Sequence, residues 1–146
     1  MKFTKYLAVG AILIAGAAFA EGDRTDPNAK ARSDLMRTIG KNTGILGDMA
    51  GGKAAYDAAA AEAAKAAIVE ASAGIEVAFK EQGGADPATE AKPAIWENWD
   101  EFLKDAGALN AAATALDVAS AETIGAGMGA IGGACKDCHT EFRAKQ

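Results

Sequence analysis

The hydrophobic positions of the chain fall into four segments whose spacing is that of one helix face. The first segment spans residues 29–49 and lies between a start signal at Asp26-Pro27 and a stop signal at Gly51-Gly52. The second spans residues 54–82, is rich in alanine, and contains a glycine, Gly74, that marks a potential bend. Both segments are predicted to be amphipathic helices.

The third and fourth segments have the clearest pattern, with steps that alternate between four and three residues. The third runs from Ile95 to Leu116 and the fourth from Ile124 to Phe142. This repeat is typical of the seam of a helix bundle. Four helices joined by short links and one longer loop with two prolines predict an all-α fold, an antiparallel four-helix bundle.

The first 20 residues have a different pattern and are predicted to be a secretory signal peptide. Two lysines precede an almost unbroken apolar run from Leu7 to Ala18, and Ala18-Phe19-Ala20 is a small-x-small cleavage site. A membrane anchor needs about 20 apolar residues, and this run is shorter. We therefore expect residues 21–146 to form a single exported domain without stable membrane insertion.

Composition changes this picture in two respects. Of the 146 residues, 38 are alanine and 17 are glycine, whereas aromatic residues make up only 6%. The bundle must therefore have a thin core or pack around something else. Removal of the signal peptide leaves 13 basic residues against 20 acidic ones, a net charge of −7. Nucleic acid is not an expected partner, because phosphate binding needs clustered lysine and arginine.

Both cysteines and the single histidine of the chain fall in Cys135-Lys136-Asp137-Cys138-His139, on the fourth helix. This C-x-x-C-H spacing is that of a c-type haem attachment site. Both thiols project from one side of the helix, where each can add to a haem vinyl group, and the histidine can reach the iron. We expect one haem c, attached through two thioethers. The same helix carries five glycines, which suggests that something bulky lies against it: Gly125, Gly127, Gly129, Gly132 and Gly133.

Other uses of these residues are weaker hypotheses. A disulfide between Cys135 and Cys138 would close a very small loop and contribute little stability. A thioredoxin-like pair belongs to a βαβ unit, which this predicted helical chain lacks. A zinc site needs four ligands, and the cysteines and histidine of the chain supply three. With His139 committed to iron, no Ser/His/Asp set and no distal histidine for peroxidase chemistry remain. The chain is therefore not expected to be an enzyme.

Two further stretches, together with this motif, resemble the class II c-type cytochromes, the cytochrome c′ family and its low-spin relatives. They are Arg32-x-x-x-Met36 near the start of the first helix and residues 92–96, with the sequence KPAIW, before the third. The last stretch, residues 135–143, adds a Phe-Arg pair after the motif. The resemblance covers essentially the whole mature chain.

The resemblance implies a role for each matching residue. Cys135 and Cys138 are the thioether attachments, and His139 is the proximal iron ligand. Arg143 lies beside that ligand, and Arg32 approaches a haem propionate. It also implies a periplasmic protein and a possible homodimer formed through the first two helices.

A second protein ligand to the iron would be a methionine, because the chain has one histidine. Met36 and Met49 are about 220° apart around the first helix, so they cannot both face the haem. Met128, on the attachment helix, is expected to pack on that side. The face of Met36 carries small residues that would leave room for a porphyrin, together with one arginine: Arg32, Gly40, Thr43 and Gly47.

The resemblance also places Met36 at the family's distal position. Members with methionine there include six-coordinate Met/His electron carriers and five-coordinate proteins whose methionine only packs over the iron. We expect Met36 to be an axial ligand in a one-electron carrier that docks on basic patches of redox partners. The alternative is a five-coordinate protein that binds nitric oxide or carbon monoxide.

Aromatic and acidic residues near the third helix have two interpretations each. Trp96 and Trp99 either line the haem or pack in the bundle, as seam aromatics more often do. An acidic stretch is either a docking surface or a solvated face. It consists of Glu97, Asp100, Glu101 and Asp105.

Overall fold

A computed structural model describes residues 24–145, so the predicted signal peptide, residues 1–20, lies outside the described residues. In this range the helices are α1, Pro27–Ala50; α2, Ala58–Ala73; α3, Ile75–Phe79; α4, Ala94–Glu97; α5, Trp99–Ala115; and α6, Ala121–Phe142. Helix α1 packs against α2 and α6, and α5 packs against the same two helices. With α3 extending α2 and α4 preceding α5, these helices form the predicted four-helix bundle. None of the helices within residues 24–145 has both the length and the apolar character needed to cross a bilayer.

Local capping sets the ends of the first and last helices. The Asp26 carboxylate accepts a hydrogen bond from the backbone N–H of Ala29 at 2.8 Å and so caps α1. After α1, Gly52 adopts a positive φ of 72°, which glycine tolerates best. Ser120 and Thr123 form a capping box at the start of α6. The start and stop signals predicted for the first helix are therefore confirmed.

The predicted second and third helices are each interrupted. The break between α2 and α3 falls at Gly74, as predicted. The break between α4 and α5 falls at Asn98, where the sequence predicted one continuous helix. There the backbone N–H and the side-chain Nδ2 of Asn98 both donate to the Ala94 carbonyl, at 2.9 and 3.2 Å. An asparagine that bonds its own local backbone in this way competes with regular helix geometry.

Helices α1 and α6 run antiparallel and approach closely at one end. A Cβ placed on Gly47 would lie 3.9 Å from Met128 Cε, and one on Gly125 would lie 3.8 Å from Ala50 Cβ. Gly127 is needed for a different contact, since its Cβ would lie 2.4 Å from Leu116 Cδ1. At the other three glycines of α6, Gly129, Gly132 and Gly133, a Cβ would meet no described protein atom within 4 Å, so the bulky neighbour expected there stays a prediction.

The connecting loop, residues 80–93, ties the start of α1 to the end of α6. Its Asp86 carboxylate accepts hydrogen bonds from the backbone N–H groups of Thr25 and Asp26, at 2.8 and 2.9 Å. On its other side, Ala91 and Arg143 form an isolated antiparallel β-bridge. Both helix ends therefore lie at the same end of the bundle, and the loop closes that end.

Candidate haem site

A cavity of about 390 Å³ lies at the end of the bundle that the connecting loop closes. This volume is within the range of small-molecule sites. Three phenylalanines of the wall are in contact, with ring centroids 5.0 Å apart for Phe79 and Phe102 and 5.4 Å apart for Phe102 and Phe142. The wall is mainly apolar and includes Ile39, Ile75, Phe79, Ile95, Phe102, Ala106, Leu109, Ala134 and Phe142.

Helix α6 presents both cysteines and the histidine to this cavity. Cys135 and Cys138 are free thiols and half-buried, and His139 is half-buried beside them. Burial raises the pKa of the Cys135 thiol, and burial with the nearby Asp105 carboxylate raises the pKa of Cys138 to about 11. A reactive redox pair has a lowered thiol pKa. The surroundings of Cys135 and Cys138 raise both pKa values instead, so they do not favour redox chemistry of the thiols.

The imidazole of His139 is held in its neutral form by its surroundings. Burial is the largest cause that lowers the pKa of His139, and the Arg143 guanidinium lowers it further. The Glu90 carboxylate acts in the opposite direction and raises it. A neutral ring nitrogen is the form that binds a metal ion, so the side chain suits an iron ligand.

Met36, on α1, lines the same cavity as His139. The helices are antiparallel, so the pairing of Gly47 with Met128 can be followed towards the start of α1. Eleven residues along each helix, about three turns, lead to Met36 on α1 and to His139 on α6. Both side chains line the cavity, and this register places the two residues at a similar level of the bundle.

The other two described methionines lie elsewhere. Met49 is in the core and 5% exposed, and Met128 packs against Gly47. The expectation that Gly47 leaves room for a porphyrin is therefore wrong, because Gly47 is not in the cavity wall and lies next to Met128. Gly40 and Thr43, from the same predicted face, do line the cavity.

Arg32 also lines the cavity and is only 4% exposed. Its terminal nitrogens donate to the carbonyls of Glu81 and Gln82 at 3.0 and 3.2 Å. Its guanidinium lies over the rings of Phe79 and Trp96, 5.6 and 5.4 Å from their centroids. Within the described residues, Arg32 Nε has no hydrogen-bond partner. This leaves a buried donor beside the cavity.

The cavity wall includes two acidic residues that the sequence analysis did not predict there. Glu90, from the connecting loop, accepts a hydrogen bond from Arg143 Nε at 2.7 Å. Asp105, from α5, is half-buried in the wall, unlike the exposed remainder of its acidic stretch. The Glu90–Arg143 pair joins residues 53 apart in the chain, beyond any local charge pattern that sequence reasoning can use.

The two tryptophans pack in the bundle. Trp96 Nε1 donates to the carbonyl of Phe79 at 2.8 Å, and Trp99 stacks on Phe102 with ring centroids 5.5 Å apart. Neither is in the cavity wall. The packing interpretation is therefore confirmed for both.

A protein-family model described as Cytochrome C' matches residues 28–143. The chain belongs to the cytochrome c′ family. It is 36% identical over 119 residues to a cytochrome c-556 of Agrobacterium tumefaciens (strain apple 185), a match that covers 80% of this chain and 94% of that one. The solved cytochrome c′ of Rhodopseudomonas palustris is 32% identical with a TM-score of 0.73, and the match covers 82% of this chain and 97% of that one.

A further solved relative is the nitric oxide complex of a mutant cytochrome c′ from Alcaligenes xylosoxidans. It is 27% identical with a TM-score of 0.67, and the match covers 81% of this chain and 94% of that one. The family therefore includes a member that binds nitric oxide as well as a relative named cytochrome c-556.

The cavity suits the cofactor of this family. As a member of this family, the chain carries a single covalent haem c. Its sequence has two cysteines, Cys135 and Cys138. The wall adds two buried polar atoms that have no partner within the described residues, Arg32 Nε and Thr43 Oγ1. Buried polar groups are normally hydrogen-bonded. These donors, in a largely apolar wall, fit a flat apolar group with polar substituents.

Proposed function

We propose that this protein is a periplasmic one-electron carrier with His139 and Met36 as its two axial ligands. The observation that supports the proposal is that Met36 and His139 line the same cavity from two antiparallel helices, at corresponding positions of their register. A thioether sulfur opposite an imidazole is the ligand set of electron-transfer cytochromes. When bound, the haem supplies an iron atom that gains and loses one electron.

The attachment residues are those of the C-x-x-C-H motif. Cys135 and Cys138 would hold the haem through thioethers on the α6 wall, and His139 would present its ring nitrogen to the iron. Because all three residues lie on about one turn of a single helix, their relative geometry is fixed by the backbone. The apolar wall excludes water, and Arg32 Nε supplies a buried donor for a propionate.

A second candidate function is the binding of nitric oxide or carbon monoxide at a five-coordinate iron. It is favoured by the Alcaligenes xylosoxidans relative, whose solved structure is a nitric oxide complex. In this alternative Met36 only packs over the open face of the iron, and a gas molecule occupies the position opposite His139.

The absorption spectrum of the reduced protein, recorded with and without carbon monoxide, separates these functions. Ligation by Met36 predicts sharp, split bands that the gas does not move. Met36→Leu keeps a similar volume and should give a broad spectrum that shifts with carbon monoxide. Met128→Leu is the matched control, because Met128 packs against Gly47 outside the cavity wall, and its spectrum should match the wild type.

Two results would contradict the proposal. A wild-type spectrum that is broad and shifts with carbon monoxide would favour the gas-binding function. A Met36→Leu protein that keeps the sharp bands would show that Met36 is not the ligand.

The expected redox partners have basic docking patches. The mature chain carries a charge of −7, which steers association with positively charged surfaces. Electron exchange with such a partner should slow as ionic strength rises, because salt screens these charges. Stopped-flow rates that do not depend on salt would contradict this part of the proposal.

Self-association is a further part of the proposal. A solved cytochrome c′ that is 28% identical to this chain is described by its ligand-controlled dimer dissociation. By the same resemblance, α1 and α2 would form the interface here. Sedimentation equilibrium of the holoprotein should show a dimer, and a single monomeric species at all concentrations would contradict it.

A further inference from the structure

The connecting loop places a carboxylate beside the candidate iron ligand. Arg143 Nε donates to Glu90 Oε2 at 2.7 Å, and the Glu90 side chain is 19% exposed against 51% for Arg143. Both residues line the cavity, and Arg143 follows His139 by four residues at the end of α6. The more buried partner of the pair is therefore the carboxylate of the loop.

The loop backbone holds Glu90 in this position. Its carbonyl accepts a hydrogen bond from the backbone N–H of Ala144 at 2.8 Å, and Lys92 N–H donates to the Phe142 carbonyl at 3.0 Å. These bonds lie on either side of the bridge between Ala91 and Arg143. An exposed ion pair contributes little because two long side chains must be ordered. Here the backbone has already brought the two groups together.

The pair also acts on His139 electrostatically. The Arg143 guanidinium lowers the pKa of the imidazole, and the Glu90 carboxylate raises it. Two opposite charges therefore lie within electrostatic range of the residue that would bind the iron. Any movement of one charge relative to the other changes the potential at that ligand.

We propose that Glu90 is a positioning residue that holds the Arg143 guanidinium beside His139 and thereby sets the reduction potential of the haem. The inference rests on the proposed attachment at Cys135, Cys138 and His139, but not on whether Met36 binds the iron. Charge near the iron and hydrogen bonding around its ligands are the means by which a protein tunes this potential.

The expected shifts follow from Coulomb's law. The oxidised iron carries one more positive charge, so a nearby carboxylate favours it and a nearby guanidinium disfavours it. Glu90→Gln removes a negative charge and should raise the reduction potential. If the substitution also releases Arg143 from its place, the positive charge moves away and part of that rise is lost. The rise should therefore be smaller with Arg143 present than in an Arg143→Gln background.

A double-mutant cycle on the holoprotein tests the proposal. Reduction potentials are measured for the wild type, E90Q, R143Q and the double variant, with E97Q as control because Glu97 is exposed and outside the cavity wall. A larger rise from E90Q in the R143Q background supports positioning, because charges that stay in place contribute additively. Equal rises in both backgrounds, or an equal rise in E97Q, would overturn it.

The proposed role of Glu90 and the proposed electron-carrier function can be contradicted by separate results. Glu90→Gln is nearly isosteric, so haem incorporation is expected to persist, and the Soret absorbance per protein checks this. The amide replaces the charge-assisted bond to Arg143 with a weaker neutral one, so it no longer holds the guanidinium in place. Loss of haem on Glu90→Gln would assign Glu90 to assembly and overturn the proposal. A gas-sensitive wild-type spectrum would overturn the electron-carrier function while leaving the cycle measurable. Additive potentials with sharp, gas-insensitive bands would overturn only the role of Glu90.

Discussion

The two ends of the α1–α6 pair follow one antiparallel register and yet differ in how closely the helices approach. At the packed end, Gly47 lies against Met128 and Ala50 lies against Gly125. At the open end, three turns further on, Met36 and His139 line a cavity of about 390 Å³. The same helix pair thus provides a close contact at one end and a binding site at the other.

Side-chain size accounts for the difference. At the packed end, a side chain of each helix lies close to a glycine of the other, and Ile124 and Ile131 are fully buried. At the open end, a wall that includes Phe79, Phe102 and Phe142 surrounds the space. Protein interiors are close-packed, so the apolar walls of this space need a group packed between them.

The greatest loss of stability should come from preventing haem attachment. A Cys135→Ser/Cys138→Ser variant should lose the cofactor and fold poorly, because the open end would lose the group that its walls surround. Circular dichroism should show reduced helix content and a thermal midpoint lower by about 10 °C or more, given roughly 4 °C for each kcal/mol in a domain of this size.

Thr140→Ser is the control, because Thr140 is exposed on the same helix and should retain haem and stability. A cooperative transition of the double variant at the wild-type midpoint would mean that the open end is stable without the haem.

A more moderate loss of stability is expected from overpacking the contact between α6 and Leu116, at the end of α5. Gly127→Ala places a Cβ 2.4 Å from Leu116 Cδ1, and such overpacking costs about 1–3 kcal/mol. Gly129→Ala meets nothing within 4 Å and should gain up to about 1 kcal/mol of helix propensity. Chemical unfolding of the holoproteins measures both changes, and their absorption spectra should stay as in the wild type. A stabilised Gly127→Ala variant would show that Leu116 moves aside without cost.

The smallest change in stability is expected at Asp105, one of the two acidic residues that line the cavity. Burial, followed by the Glu101 carboxylate, raises the pKa of Asp105 above its ordinary value of 3.8, with Asp137 and Glu141 adding to the rise and Lys104 opposing it. The folded state therefore binds this proton more tightly than the unfolded state. Its contribution to stability is present below pH 3.8 and is lost as the pH rises through the raised value.

Asp105→Asn should therefore be slightly more stable than the wild type at pH 7, and the advantage should shrink as the pH falls through the raised pKa of Asp105 and be gone below 3.8. Thermal midpoints across this range measure the effect. Asp100→Asn, at an exposed position of the same helix, should give no such pH-dependent gain. A constant difference between Asp105→Asn and the wild type would show that the titration of Asp105 does not account for it.

Much of the fold follows from features that are local in the chain. Apolar spacing predicted the four bundle segments, and the caps of α1 and the bend at Gly74 follow from neighbouring residues. The break at Asn98 was missed, because its apolar neighbours continue the helical period while its own amide bonds to the Ala94 carbonyl. Periodicity reports which face is buried, and it does not report whether each backbone step stays helical.

Residue types and their spacing were enough to define the chemistry of the site. One C-x-x-C-H motif, one histidine and the three methionines within residues 24–145 limit the attachment residues and the candidate axial ligands. These limits are properties of side-chain type and spacing along a helix, so they hold before any tertiary contact is known.

Packing between the helices decided which of these groups meet. It brings Met36 and His139 to one cavity, sets Met128 against Gly47, and brings Glu90 to Arg143. Each contact joins residues that are far apart in the chain, and each depends on the register of one helix or loop against another. That register arises from side-chain packing across the whole bundle, and spacing within one helix carries no information about it.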